Sequence, residues 1–451
     1  MPEPSANAIA HWLARCREHS GLVVEHIPFS QCLEWSFVDG VLQHSTGRFF
    51  SVVGLHCDDG PPHLKGLALP IIDQPEIGIL GFVVKRGKAG WEWLLQAKTE
   101  PGNIGGTQVG PSVQATQSNY LRVHGGRPTE MIELFTDGAG MGRRIADVEQ
   151  SEQGDRFLGK YNRNMVVEVP PQFKAPVQDA WRWFQAGEVR QALAQDFMFN
   201  TDARSVLCCA DWALLCDADG AGPFAVWRHQ GGFGEQLLQS FEVSLPASGH
   251  AAAVAKLIEV RETCALQVSA VPLQALPGWQ CNDWAIECEQ PRTDPVVRPF
   301  RVHSADREVR HWCQPLLTNR AEGRAVLVCT RRDGVLQFLL HPSVEPGFTE
   351  RAQFGPSLLT GLGHANPDAL VAAIDACGAR AHLSVRQSDE GGRFKDSVAR
   401  YEIVELPTET AEQLGNSGAW VTLSALRAMS SERSLLSNEL RSCISLLLHW
   451  A

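Results

Sequence analysis

From Gly78 to Gly102 the apolar and polar positions follow strand periodicity. GILGFVVKRG is a nearly continuous apolar run, the following KAG is a tight turn, and WEWLLQ alternates bulky apolar with polar residues. The chain then changes character. After AKTEPG come Gly, Pro, Asn, Gln, Ser and Thr with single charges, a stretch that cannot fill a core and that rigid strands would hold out as a polar connection. A helical pattern opens the chain: in SANAIAHWLARCREH, Ile9, Leu13 and Cys16 share one face and Ser5 is a candidate N-cap. DAWRWFQAGEVRQALA and NELRSCISLLLHW read as further helices, and extended segments fill most of the rest. The pattern predicts a mixed α+β protein.

The same pattern is written twice. GILGFVVKRGKAGWEWLLQAKTEPG (Gly78 to Gly102) aligns without gaps with GRAVLVCTRRDGVLQFLLHPSVEPG (Gly323 to Gly347), and Gln108, Gly110, Pro111 and Ser112 face Gln353, Gly355, Pro356 and Ser357 at the same offset of 245. SEQGDRFLGKYNRNMVVEV (Ser151 to Val169) then matches SDEGGRFKDSVARYEIVEL (Ser388 to Leu406) at seven of nineteen positions, at an offset of 237. Trp183 and Trp420, and Arg204 and Arg441, keep that second offset, and IPFSQCLEW (Ile27 to Trp35) echoes VPLQALPGW (Val271 to Trp279). Copies of about 200 residues are too long for solenoid units and fit a duplicated domain. The expected division is a first domain over 1–222, a linker region over 223–250 and a second domain over 251–451.

Composition narrows the partners. A net charge of −11 argues against nucleic acid, and no apolar run approaches the roughly 20 residues of a membrane span. Thirteen scattered cysteines without zinc spacing read as reduced thiols, so a cytoplasmic protein is expected.

The polar stretch of the first copy carries the candidate chemistry. Pro101 holds Glu100 extended, and the glycines beyond let backbone N–H groups approach a ligand. Tyr120, Arg122 and His124 alternate, so an extended segment places them on one face, with Asn119 on the other. Lys98, Gln114, Lys160, Arg163 and Asn164 add donors, and Arg163 recurs as Arg400. Arg204, early in a helix that Asn200 or Thr201 can cap, reads as structural. GNIGG is not a dinucleotide loop, because G-x-G-x-x-G is not met.

The succession LLQAKTEPGNIGGTQVGPSVQATQSNYLRVHGG, SEQGDRFLGKYNRNMVVEV and NTDARSVL, with LQHSTGRFF and LPIIDQPEIG before it, resembles the NDP-hexose 2,3-dehydratase family over essentially the full length. The resemblance implies two tandem Nudix-like mixed-sheet domains, a homodimer, and a dTDP-4-keto-6-deoxyhexose substrate, with one pocket per domain and one of them catalytic. It implies loss of water from C2 and C3 without a metal or redox cofactor, and a downstream 3-ketoreductase or 3-aminotransferase acting on the product. The metal-binding RE-x-x-EE-x-G cluster of hydrolytic Nudix enzymes is absent from both copies. The expected roles are His124 or Glu100 as base, Tyr120 as acid, and Lys98 as donor to the enolate or phosphate. Gln114, Asn119, Arg122, Lys160, Arg163, Asn164 and Trp183 would hold the nucleotide sugar, and the second pocket is expected to be vestigial. A silent nucleotide-sugar-binding protein and a Nudix-like pyrophosphatase are the competing readings.

Overall fold

The computed structural model describes residues 8–47, 49–117, 128–136, 142–216, 222–289, 295–305, 309–361, 363–376, 380–414 and 418–451. The first copy opens with helix α1 (Ala8–Ser20) and runs through β1 (Val23–His26), β2 (Trp35–Val38), β3 (Val41–His44), β4 (Ser51–Asp59) and β5 (Ala68–Asp73). It continues with β6 (Gly78–Gly87), β7 (Gly90–Thr99), β8 (Thr107–Gly110), β9 (Val113–Ala115), β10 (Arg143–Ser151), β11 (Phe157–Leu158), β12 (Tyr161–Glu168) and β13 (Trp181–Gln185), and closes with α2 (Ala186–Ala192) and α3 (Thr201–Cys209). Helix α4 (Gly232–Glu242) lies within the stretch read as a linker, with Leu237 and Leu238 buried.

The second copy repeats the order. It comprises α5 (His250–Thr263), β14 (Gln267–Val271), β15 (Trp279–Cys281), β16 (Ile286–Cys288), β17 (Val296–His303), β18 (His311–Thr318), β19 (Gly323–Arg332), β20 (Val335–Val344), β21 (Ala352–Gly355) and β22 (Leu358–Leu359). Then follow α6 (Asp368–Ala376), β23 (Arg380–Ser388), β24 (Phe394–Lys395), β25 (Val398–Glu405), α7 (Thr408–Gln413), β26 (Ala419–Val421), α8 (Leu423–Met429) and α9 (Asn438–Leu447).

Each copy forms a leading and a trailing sheet, both of mixed sense. The trailing sheet runs β10-β12-β6-β7-β13 in the first copy and β21-β20-β19-β25-β23 in the second. The repeat is kept at the level of register: β12 lies parallel to β6 with Asn162 opposite Gly78, and β25 lies parallel to β19 with Ala399 opposite Gly323. The shared GPS serine works alike in both. Ser112 accepts from the Val83 N–H and donates to the Leu94 carbonyl, while Ser357 accepts from Val328 and donates to Leu339. One part of the periodicity reading is corrected. Trp181 to Gln185, expected as helix, is strand β13, because its alternating side chains pair it antiparallel to the edge of β7; helix begins only at Ala186.

The copies are interlocked. Strand β1 pairs with β17 of the second copy, and β14 pairs with β4 of the first, so each leading sheet takes one strand from the other copy. Trp35 Nε1 donates to the Cys313 carbonyl at 2.9 Å, and Trp279 Nε1 donates to the Ala68 carbonyl at 2.8 Å. Both layers share a core: Leu42, Val52 and Ile72 cluster with Leu273, Val297 and Leu317, and Phe82, Trp93 and Val206 cluster with Leu327, Phe338 and Ile444. Burial of this kind supplies most of the favourable free energy of folding.

Helices α3 and α9 meet where the two trailing layers join. Arg204, fully buried, donates to Ser442 Oγ (3.1 Å) and to the carbonyls of Phe199 (2.7 Å) and Ser388 (3.0 Å). Arg441 mirrors it through Ser205 Oγ (2.9 Å) and the carbonyls of Leu436 and Ser151 (both 2.6 Å). The structural reading of Arg204 thus has its geometry, and Asn200 is the N-cap of α3, accepting from the Ala203 N–H at 2.9 Å. Among the described residues no helix is long and apolar enough to cross a membrane.

Candidate active site

Strand β7 ends in Lys98 and Thr99, and the Glu-Pro-Gly turn follows. The Glu100 N–H donates to the Gly106 carbonyl (3.1 Å), and Asn103 Nδ2 reaches back to the Lys98 carbonyl (2.9 Å). The turn is seated on the second copy: the Gly102 N–H donates to the Gly391 carbonyl at 2.8 Å, and a Cβ at Gly102 would collide with the Phe394 carbonyl. The mirror contact joins Gly347 to the Gly154 carbonyl at 2.7 Å. Each Glu-Pro-Gly turn therefore rests on the Gly-rich turn that precedes the short β11 or β24 strand of the other copy.

The seating buries Glu100, which is 5% exposed. Its Oε1 accepts from Gln114 Nε2 (3.3 Å), whose Oε1 in turn accepts from Asn200 Nδ2 (3.1 Å) at the start of α3. Glu100 Oε2 is buried with no hydrogen-bond partner among the described residues. Lys98 Nζ donates to the Gln114 carbonyl at 3.4 Å. Lys98 also lines a cleft of about 480 Å³ with Trp12, His19, Gln96 and Trp181, and with Ser304 from the second copy.

Three further carboxylates, Asp202, Glu390 and Glu152, share this neighbourhood. Asp202, in the first turn of α3, is driven well above the usual carboxylate range by burial and by the charges of Glu390, Glu152 and Glu100, with Lys98 opposing. Glu390 comes from the second copy; burial raises it to about 7, with Arg393 and Lys160 opposing and Glu100 and Glu152 adding to the rise. Arg393 is held by Gln74 Oε1 (3.1 Å) and lies over the Phe50 ring.

The corresponding place in the second copy is furnished differently. Ser343 stands for Lys98 and donates to Glu345 Oε1 at 2.9 Å. Asp155 of the first copy reaches in, 3.6 Å from His364 Nε2 and 3.1 Å from Arg156 Nε. Burial would lift Asp155, but Arg156 and His364 outweigh it and hold the carboxyl at about 2. Burial would lower His364, but its pairing with Asp155 and the charge of Glu345 raise it to about 9. Burial and the neighbouring Glu439 push Glu345 to about 8. A cavity of about 350 Å³ here is lined by His341, Ser343 and His364, and by His63 from the first copy.

The residues expected from sequence divide in space. Lys98, Glu100 and Gln114 lie together, and Lys160 lies close enough for its charge to act on Glu390 and Glu152. Lys160 Nζ is itself held by Asn162 Oδ1 (2.9 Å), the Tyr161 carbonyl and the Glu76 carbonyl. Arg163 pairs with Asp147 across the adjacent strands β12 and β10 (Nε to Oδ1, 2.9 Å), and Asn164 is buried, donating to the Asn162 carbonyl. Trp183 lies in β13 beneath Lys85, whose Nζ is 4.1 Å from the ring centre. None of these three makes a described contact with Glu100 or Lys98. Asn119, Tyr120, Arg122 and His124 lie outside the described residues. Asp202 and Glu390 were not among the expected residues. An acid two residues before Arg204 recurs as Glu439 before Arg441 and could have drawn attention to Asp202, whereas the equivalent of Glu390 is Gln153.

A sequence model described as NDP-hexose 2,3-dehydratase matches residues 6–210 and again residues 251–447. The chain belongs to this family. The match falls on both copies, with the two seated turns inside it. Curated members include dTDP-4-dehydro-6-deoxy-alpha-D-glucopyranose 2,3-dehydratases from Saccharopolyspora spinosa, 32% identical over 96% of this chain and 89% of that protein, and from Amycolatopsis orientalis, 32% identical over 96% and 88%. A third, from Streptomyces violaceoruber, is 32% identical over 90% of this chain and 88% of its own.

Proposed function

We propose that the chain removes water across C2 and C3 of a dTDP-4-keto-6-deoxyhexose, giving a dTDP-3,4-diketo-2,6-dideoxyhexose, and that the first copy's site does so. Family membership over both copies and the names of the curated relatives support the reaction. The observation that supports the placement is Lys98, which lines the cleft next to the buried Glu100; the second copy has Ser343 in that place, beside a Glu345 that is just as buried and also has one unpartnered oxygen. The C4 ketone acidifies the C3 hydrogen. Glu100 takes it as a proton, and the Lys98 ammonium offsets charge developing on the C4 oxygen. Loss of the C2 hydroxyl as water leaves an enol that tautomerises to the 3,4-diketone, a redox-neutral sequence. From sequence alone, Tyr120 stands as a candidate acid and His124 as the alternative base, with Asn119 and Arg122 as candidate substrate contacts.

The finer reading takes each trailing sheet with its closing helices as a Nudix-like unit, divided as 1–222 and 251–451 about the 223–250 segment. It also takes the protein as a cytoplasmic homodimer whose product passes to a 3-ketoreductase or 3-aminotransferase. Without the RE-x-x-EE-x-G carboxylates, the diphosphate serves as a handle rather than a cleavage point. Incubation with dTDP-4-keto-6-deoxyglucose and a 3-ketoreductase tests the reaction: a reduced 2-deoxy product is expected. Formation of dTMP and sugar phosphate, or tight binding with unchanged substrate, refutes it.

A further inference from the structure

We propose that Glu390, contributed by the second copy, donates the proton to the departing C2 hydroxyl in the first copy's site, across from the Glu100 base. The proposal rests on the dehydration reading above.

Its geometric support begins at Gly392. A Cβ built there would lie 3.0 Å from Glu390 Oε1 and 3.6 Å from Glu100 Oε1, so the two carboxylates, one from each copy, flank a single point that carries no side chain. The equivalent position in the other copy is Asp155, whose carboxylate reaches into the second site and pairs there with Arg156 and His364. The Asp155 carboxylate enters one site, whereas at Gly392 no side chain stands between the two acids of the other. The backbone fixes this arrangement, because the Gly102 N–H to Gly391 carbonyl bond clamps the turn bearing Glu100 to the turn bearing Glu390.

Satisfaction of polar atoms points the same way. Glu100 Oε2 is buried and unpartnered, and the Asp202 and Glu390 side chains make no hydrogen bond or ion pair with a described residue. A buried acceptor left bare, as Glu100 Oε2 is, is unfavourable. A hydroxyl-rich ligand such as a hexose supplies the missing donors. Gln153, which replaces Glu390 in the second site, is already committed to Asp389 Oδ1 at 2.9 Å and cannot deliver a proton as a carboxyl can. The charged groups around Glu390 include Arg393, Glu100, Glu152, Lys160 and Asp202, and together with burial they bring it to about 7, where acid and base forms coexist at neutral pH.

The step balances. Glu100 takes the C3 hydrogen as a proton, and the released pair forms the C3=C4 enolate. That pair then shifts to C2=C3 as the C4 carbonyl re-forms, the C2–O bond breaks, and the hydroxyl leaves as water with the proton of Glu390. The 3-enol gains a proton at C2 and loses one from its oxygen. Solvent exchange resets both carboxyls, with no oxidant or reductant involved.

The test separates the two proton transfers. In deuterated water, Glu390→Gln should lose dehydration by about 100-fold or more and still wash deuterium into C3 of recovered substrate, whereas Glu100→Gln should lose both. The acidic form of Glu390 is the active one, so wild-type turnover should fall as pH rises through about 7, and a Glu390→Asp enzyme should shift that limb. Dehydration by Glu390→Gln within threefold of wild type, or joint loss of wash-in and dehydration in a folded variant, overturns the proposal. So does a Tyr120→Phe enzyme that alone keeps wash-in while losing dehydration. If the amide variant does not fold, Glu390→Asp must slow dehydration at least tenfold with wash-in retained for the proposal to stand. Wild-type protein that neither exchanges nor dehydrates would sink the functional reading itself, a distinct result.

Discussion

Asp155, His364 and Glu345 show how one residue's place decides its charge. Asp155 is held ionised near 2 and His364 protonated to about 9, so their pair persists across the neutral range. Glu345 also feels His364, but burial and Glu439 outweigh that cation and push it up to about 8 from an ordinary 4.5. A carboxyl raised in the folded state contributes stability that is fully present below 4.5 and lost as pH rises through 8. The raised His364 adds a loss of the same sign, its contribution complete below 6.5 and gone above about 9. Stability should therefore fall from pH 5 to pH 9, and Glu345→Gln should remove the part of the slope that belongs to Glu345. Thermal melts should place the variant level with wild type near pH 4.5 and at least about 2 °C above it at pH 8.5. A variant less stable than wild type at pH 8.5 contradicts this account.

At the scale of elements, helices α3 and α9 hold the copies together through paired arginines rather than ion pairs. Arg204→Met would strip donors from Ser442 and from two buried carbonyls, destabilising the fold by about 3 kcal/mol or more. Arg441→Met should cost a similar amount, because its contacts mirror those of Arg204. Denaturant midpoints with the Ser442→Ala and double variants would show coupling of at least about 0.5 kcal/mol between Arg204 and Ser442; strict additivity would mean the bond contributes nothing. That Arg204 matters structurally was legible, since it recurs as Arg441 after a capping residue. The β6–β7 hairpin and its copy were legible for a similar reason: a continuous apolar run followed by an alternating one has strand periodicity whatever its surroundings. Strand β13 was not. Trp181 and Trp183 also alternate, but the helix formers after Gln185 drew the whole segment into a helical reading, and only its pairing with β7 decides otherwise. The exchange of β1 and β14 left no local signature, because each is short, largely exposed and defined by a partner in the other copy. The proposed site divides likewise: Lys98, Glu100 and Gln114 sit in one polar run that the sequence displays, while Glu390 reaches them through a fold-level contact that no spacing records.

For the molecule as a whole, the two copies cannot be independent units that happen to be joined. Each leading sheet borrows a strand, each Glu-Pro-Gly turn is seated on the other copy, and apolar clusters in both layers run across the boundary. A chain cut between Gln230 and Gly231, in an exposed turn before α4, tests this. Residues 1–230 alone would leave β4 without β14, Arg204 without Ser442, and the inner faces of both sheets uncovered. Such a fragment should be insoluble or melt without cooperativity, and the same holds for residues 231–451. Produced together, the halves should re-form the exchanged strands, co-purify through a tag on one of them, and recover the dehydration that needs Glu100 from one and Glu390 from the other. Size-exclusion chromatography with thermal melts reads the first outcome, and the coupled ketoreductase assay reads the second. A cooperatively melting, active 1–230 fragment would show that the first copy carries its own core and its own acid, against both the shared packing and the composite site.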